Sequence, residues 1–172
     1  MVAYAALLRA VNVGGTGKLR MAELLAICQQ LGLDSPRSYL ASGNLVFRSL
    51  QTETWLREQL EGNLRTRFGR QIAVLIRSAD QLAAVLDANP FPDAPPDRLM
   101  VIFLGAPTSP ITLEGLSGKA PDEQLALGFR EIYVWYGSGM GRSRLRIPAA
   151  LRGTARNLNT VRRLAALAAS GS

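Results

Sequence analysis

The 172 residues carry a net charge of +7, one cysteine and no histidine. The missing histidine excludes Ser-His-Asp and Cys-His nucleophile pairs, imidazole acid–base catalysis and histidine-ligated zinc, and the single Cys28 excludes an intramolecular disulfide or a cysteine-cluster metal site. An apolar fraction of 48% with 19% charged residues is that of a globular chain large enough to bury its own core, and no apolar run approaches the ~20 residues of a membrane span.

The first predicted element is a buried strand over residues 3–13, apolar except at Tyr4, Arg9 and Asn12. Arg9 interrupts the run early and no small-residue cleavage site follows. A strand is therefore expected rather than a signal peptide, and the cytoplasm is the expected location. Gly14, Gly15 and Gly17 mark a tight loop. Met21, Leu24, Leu25, Cys28 and Leu31 then recur at helical spacing, with Gly32 as the stop and Cys28 on the apolar stripe. Residues 37–48 read as two short strands cut by Ser42-Gly43-Asn44. Thr52 is placed to cap a helix running to about Phe68, with Leu56, Leu60 and Leu64 on one side and Gly69 at its end. Glu53–Arg57 and Glu61–Arg65 are spaced for ion pairs along it. A strand over residues 72–76 completes the order β-α-β-β-α-β, which predicts a ferredoxin-like arrangement.

Ser78 and Gln81 form a capping box for a further helix that stops at Asn89-Pro90. Residues 90–98 hold four prolines and read as a connector between residues 1–89 and residues 99–172. The second half predicts a strand at 99–104, a short helix at 111–116, strands at 123–127 and 132–136, and a last helix with Leu158, Val161, Leu164, Ala165 and Ala168 on one face. That order repeats the first half without its last strand. The expected fold class is thus α+β, with two ferredoxin-like subdomains, the second incomplete, and helices packed on mixed or antiparallel sheets.

Charge is unevenly placed. Residues 1–77 carry ten basic and five acidic side chains, residues 78–136 three and eight, and residues 137–172 seven arginines and no acid. An acid-free basic segment suits an anionic partner. Packing of the basic ends beside the acidic middle, or simple compositional drift toward arginine, accounts for the same numbers.

Four stretches could carry chemistry. The loop Gly14–Lys18 fails the Walker spacing, because Asn12 stands where glycine is needed and Leu19 where Ser or Thr is needed; Lys18 and Arg20 at a helix start fit a generic anion site instead. Ser42 and Asn44 offer a hydroxyl and an amide, with no visible base to activate the serine. In residues 154–160, Asn157 or Asn159 is a candidate N-cap, and Arg156 flanks that helix start. Tyr133, Trp135 and Tyr136 share one strand, where exposure would allow base stacking and alternation would bury some rings. Each stretch also has a plain structural reading as a turn, a cap or core packing.

Residues 6–15 (Ala-Leu-Leu-Arg-Ala-Val-Asn-Val-Gly-Gly), residues 39–47 (Tyr-Leu-Ala-Ser-Gly-Asn-Leu-Val-Phe) and residues 154–161 (Thr-Ala-Arg-Asn-Leu-Asn-Thr-Val) resemble the three signatures of a bacterial family of uncharacterised proteins, domain of unknown function 1697. The sequence departs from the family pattern at Ala10, usually Gly, and at Leu158, often Trp. The resemblance implies a compact α+β protein of two subdomains and no reaction, and it draws attention to Arg9, Asn12, Ser42, Asn44, Arg156 and Asn157. With Lys18 and Arg20 these make the expected ligand-binding set. The leading expectation is a binding module for an anionic ligand, either nucleic acid or a phosphorylated small molecule. The alternatives are a histidine-independent enzyme acting on a phosphorylated or carboxylated small molecule, and an assembly module. No cofactor, metal or membrane partner is expected, and no catalytic residue is assigned.

Overall fold

The computed structural model describes residues 1–9, 21–39 and 43–170. Among them it is a mixed α+β protein with two four-stranded antiparallel sheets and four helices. The chain divides into two compact units, Met1–Leu82 with Leu164–Ser172, and Ala83–Arg163. Both divisions fall inside helices, α3 (Ala79–Asp87) and α4 (Leu158–Ala169).

In the first unit β1 (Val2–Leu8), α1 (Met21–Gln30), β2 (Asp34–Tyr39), β3 (Asn44–Ser49), α2 (Glu53–Phe68) and β4 (Val74–Ser78) follow the order the sequence predicts. The sheet runs β2-β3-β1-β4, every neighbour antiparallel. Alternation decides which side chains meet the helices. Tyr4, Ala6 and Leu8 share a core with Leu45, Phe47, Val74 and Ile76, and Leu24, Ile27 and Cys28 of α1 and Leu56, Leu60 and Leu64 of α2 join it. Ala5 and Leu7, which point the other way, are also fully buried, so the uninterrupted apolar run of β1 is that of a central strand covered on both faces. Arg77 of β4 lies on that second face, only 1% exposed, and donates from Nη1 to Ile76 O at 3.0 Å. Arg37 Nη2 donates to Leu167 O at 2.8 Å, tying β2 to the end of α4.

Local signals end the helices where expected. Thr52 accepts from Trp55 N at 3.2 Å at the start of α2, and Gly69 closes its end at φ +68°, donating to Arg65 O. On α2 Arg57 also pairs with Glu61, at 3.7 Å. Ser78 and Gln81 exchange both hydrogen bonds of the capping box, at 2.8 and 3.1 Å.

In the second unit β5 (Leu99–Phe103), β6 (Glu123–Leu127), β7 (Glu131–Tyr136) and β8 (Thr154–Asn157) form a sheet in the order β6-β7-β5-β8. Strand for strand this is the order of the first sheet. The last strand of the repeat, which the sequence does not predict, is present as β8, paired antiparallel with β5. What the second unit lacks is a helix between β5 and β6. Residues 111–116 form turns, not the short helix predicted, and Gly115 there adopts φ +78°, which a helix does not accommodate. Two short 3-10 helices, Met140–Arg142 and Pro148–Arg152, lie between β7 and β8. Ile102, Leu104, Ile132, Val134 and Ile147 form the core on one face. Tyr133, on the other, is 1% exposed and donates its hydroxyl to Val85 O at 2.6 Å.

Candidate functional site

Of the eight residues expected to bind a ligand, Asn12, Lys18, Arg20 and Ser42 lie outside the described residues, as do all of residues 10–20 and 40–42, which include the predicted Gly14–Lys18 loop. Arg9 and Asn44 come to the same end of the first sheet. Arg9 follows β1 and donates its N–H to Ala73 O at 3.0 Å, while Leu8 N donates to Gly43 O at 2.9 Å. Asn44 opens β3 opposite Leu7 and Tyr39, is fully buried, and donates its amide Nδ2 to Tyr39 O at 3.0 Å. Its amide therefore serves the hairpin, as the turn reading of that residue allowed.

Arg156 and Asn157 belong to the second unit. They close β8, and α4 begins at the next residue, Leu158. Asn157 Oδ1 accepts from Thr160 N at 2.9 Å, which makes Asn157 the N-cap of α4 in preference to Asn159. Arg156 pairs with Val101 across the sheet, and its Nη1 donates to Thr154 Oγ1 at 2.8 Å and to Ala155 O at 2.9 Å. Burial lowers its guanidinium to about 10, so it stays charged at neutral pH.

The acid-free segment contributes more than Arg156. Arg142, Arg144, Arg146, Arg152, Arg162 and Arg163 are all exposed, and none closes an ion pair among the described residues. The nearby acids are engaged by neutral donors. Asp122 accepts from the Ser138 hydroxyl, and Glu123, 3% exposed, accepts from Ser143 Oγ at 2.5 Å and from Ala120 N at 2.7 Å. The glycine-rich loop after β7 is thus pinned to β6 through its serines, and its arginines face solvent. Arg98 adds to this end of the sheet by donating Nη1 to Gly137 O at 2.8 Å.

The aromatic side chains mostly serve packing. Tyr133 is buried, and Trp135 packs against Phe91 with ring centroids 5.8 Å apart. Trp55 packs half-buried against the first core. Cys28 is fully buried within that core, as its place on the apolar stripe of α1 predicted, and burial pushes its thiol up to about 11. Among the described residues no three Cys, Asp or Glu side chains gather as metal ligands would, and no helix is long and apolar enough to cross a membrane.

A family described as a protein of unknown function, DUF1697, matches residues 1–133. No curated protein matches the chain. Among solved structures, a conserved bacterial protein from Streptococcus pneumoniae is similar, with a TM-score of 0.79 and 28% identity over 96% of this chain and 98% of that one.

Proposed function

The chain belongs to the DUF1697 family, and from that premise we propose that it is a binding module for an anionic ligand, with nucleic acid the class that best suits its arginines. The observation behind this reading is that the six arginines of residues 142–163 other than Arg156 are exposed and unmatched by carboxylates among the described residues. Packing of basic against acidic stretches would have consumed their charge; instead Asp122 and Glu123 take serine hydroxyls. Guanidinium groups left in solvent can each displace a counterion from a phosphate, and several along one segment suit a polyanion better than a compact ligand. Arg9, Asn12, Lys18, Arg20, Ser42, Asn44, Arg156 and Asn157 remain the candidate residues for a smaller phosphorylated ligand.

The test is fluorescence anisotropy of labelled single- and double-stranded DNA and RNA across a salt series. Binding should weaken steeply with salt, and replacing Arg142 and Arg144 together with Gln should reduce the slope of log K against log salt by about 2. Lys18→Gln and Arg156→Gln, made separately, ask whether the glycine-rich segment after β1 and the third family signature contribute. No binding at low salt, or binding indifferent to Arg142 and Arg144, refutes the nucleic-acid reading and directs the search to phosphorylated small molecules.

A further inference from the structure

A cavity of about 590 Å³ lies in the second unit, between the segment that leaves β5 and the 3-10 helix Pro148–Arg152. Its volume falls in the range of about 300–1,000 Å³ typical of small-molecule sites. Leu104, Ile111, Pro148 and Ala149 form apolar wall, and Glu114 and Arg152 line the same space. Ile111 is 66% exposed there, a large apolar side chain that the fold itself leaves uncovered.

The two charges define what would fit. Glu114 and Arg152 are both exposed, and neither closes an ion pair with the other or with any described residue. A simple anion would be drawn to Arg152 and opposed by Glu114, and a simple cation the reverse. A molecule with an ammonium at one end, a carboxylate at the other and an apolar body between satisfies both charges and covers the wall. We propose that this cavity binds a small zwitterion with an apolar body, the chemistry of a hydrophobic dipeptide.

The walls are held without a ligand. Thr108 N donates to Phe129 O at 2.8 Å, Ser109 N to Thr112 Oγ1 at 2.8 Å, and Ala150 N to Ile147 O at 3.0 Å. At Gly115 an added Cβ would come within 3.0 Å of Pro148 Cγ, so the two sides of the cavity are already in close approach beside it. Binding would therefore need little ordering of the protein. This site is independent of the polyanion reading. It shares only Arg152 with that surface, and Glu114 is specific to it.

Isothermal titration with the dipeptide Leu-Leu tests the proposal, alongside its N-acetylated form, its C-amidated form and the doubly blocked form. Leu-Leu should bind more tightly than either singly blocked form, by up to about fivefold, the worth of an exposed ion pair. Glu114→Gln should abolish the preference for a free amine and keep that for a free carboxylate; Arg152→Gln should do the opposite. Both substitutions are at exposed positions, and unchanged melting temperatures establish that the variants are folded. Amide chemical shifts of Ile111 and Ala149 should move on titration. Absence of Leu-Leu binding at millimolar concentration, or equal binding of the doubly blocked form, overturns the proposal. Glu114→Gln should leave nucleic-acid binding undiminished, so failure here is distinguishable from failure of the polyanion reading.

Discussion

Gly118 is the position where the second unit depends most on the absence of a side chain. It adopts φ +72°, and an added Cβ would stand 2.0 Å from Arg144 O and 2.7 Å from its carbonyl carbon. The obstruction is backbone, so no rotamer change relieves it. The neighbouring bridge must open instead, and it consists of Ser117 N to Arg146 O at 3.1 Å and Arg146 N to Ser117 O at 2.8 Å. Gly118→Ala therefore carries about 1–2 kcal/mol for the left-handed backbone and about 1 kcal/mol for each hydrogen bond lost, roughly 3–4 kcal/mol in sum. Gly69→Ala is the control, because Gly69 has φ +68° with nothing within 4 Å of an added Cβ and should cost only the backbone term, about 1–2 kcal/mol. Urea denaturation measures both, with Trp135 reporting on the second unit and Trp55 on the first, and hydrogen exchange at the Arg146 amide reads the bridge directly. Because Arg144 and Arg146 are held by this contact, the variant should also weaken polyanion binding. A Gly118→Ala protein no less stable than Gly69→Ala, with the Arg146 amide still protected, refutes the reasoning.

Two further outcomes are expected. Burial, with Glu131 adding to it, pushes the Tyr133 phenol up to about 12 from an ordinary value near 10; the folded state therefore favours the neutral form, and the stability this confers is fully present below pH 10 and lost as pH rises to about 12. Tyr133→Phe should flatten that alkaline limb and cost about 1 kcal/mol at pH 7 through the lost bond to Val85 O, and an unchanged limb in a pH series of urea melts would count against the assignment. Cys28 should resist a thiol reagent in the native protein and react once denaturant is added, since its thiol is fully buried and raised to about 11; rapid native labelling would contradict its place in the core.

Family membership and most of the first unit were legible in the sequence because their signals are local. The run of β1 is interrupted only by Tyr4 before Arg9, α2 is bracketed by Thr52 and Gly69, and Ser78 and Gln81 close on each other three residues apart. β8 leaves little trace in the sequence for a physical reason: it is four residues, Thr-Ala-Arg-Asn, three of them polar, at a sheet edge and directly followed by a helix, so no periodicity sets it apart. The turns at 111–116 resemble a helix in sequence because Ile111 and Leu116 are apolar, while Gly115 at positive φ breaks the helical path.

The sequence by itself determined the element types of the first unit, the core role of Cys28, the exclusion of histidine chemistry and the acid-free run of arginines. Only the tertiary structure decided that the two sheets share one strand order, that residues 154–157 pair with β5 as an edge strand, and that Ser138 and Ser143, rather than the arginines between and beyond them, answer Asp122 and Glu123. The division follows from range. Periodicity and caps act over a few residues and are written into neighbours, whereas strand pairing and the partner of a charge depend on groups that the chain brings together from 16 or more positions away.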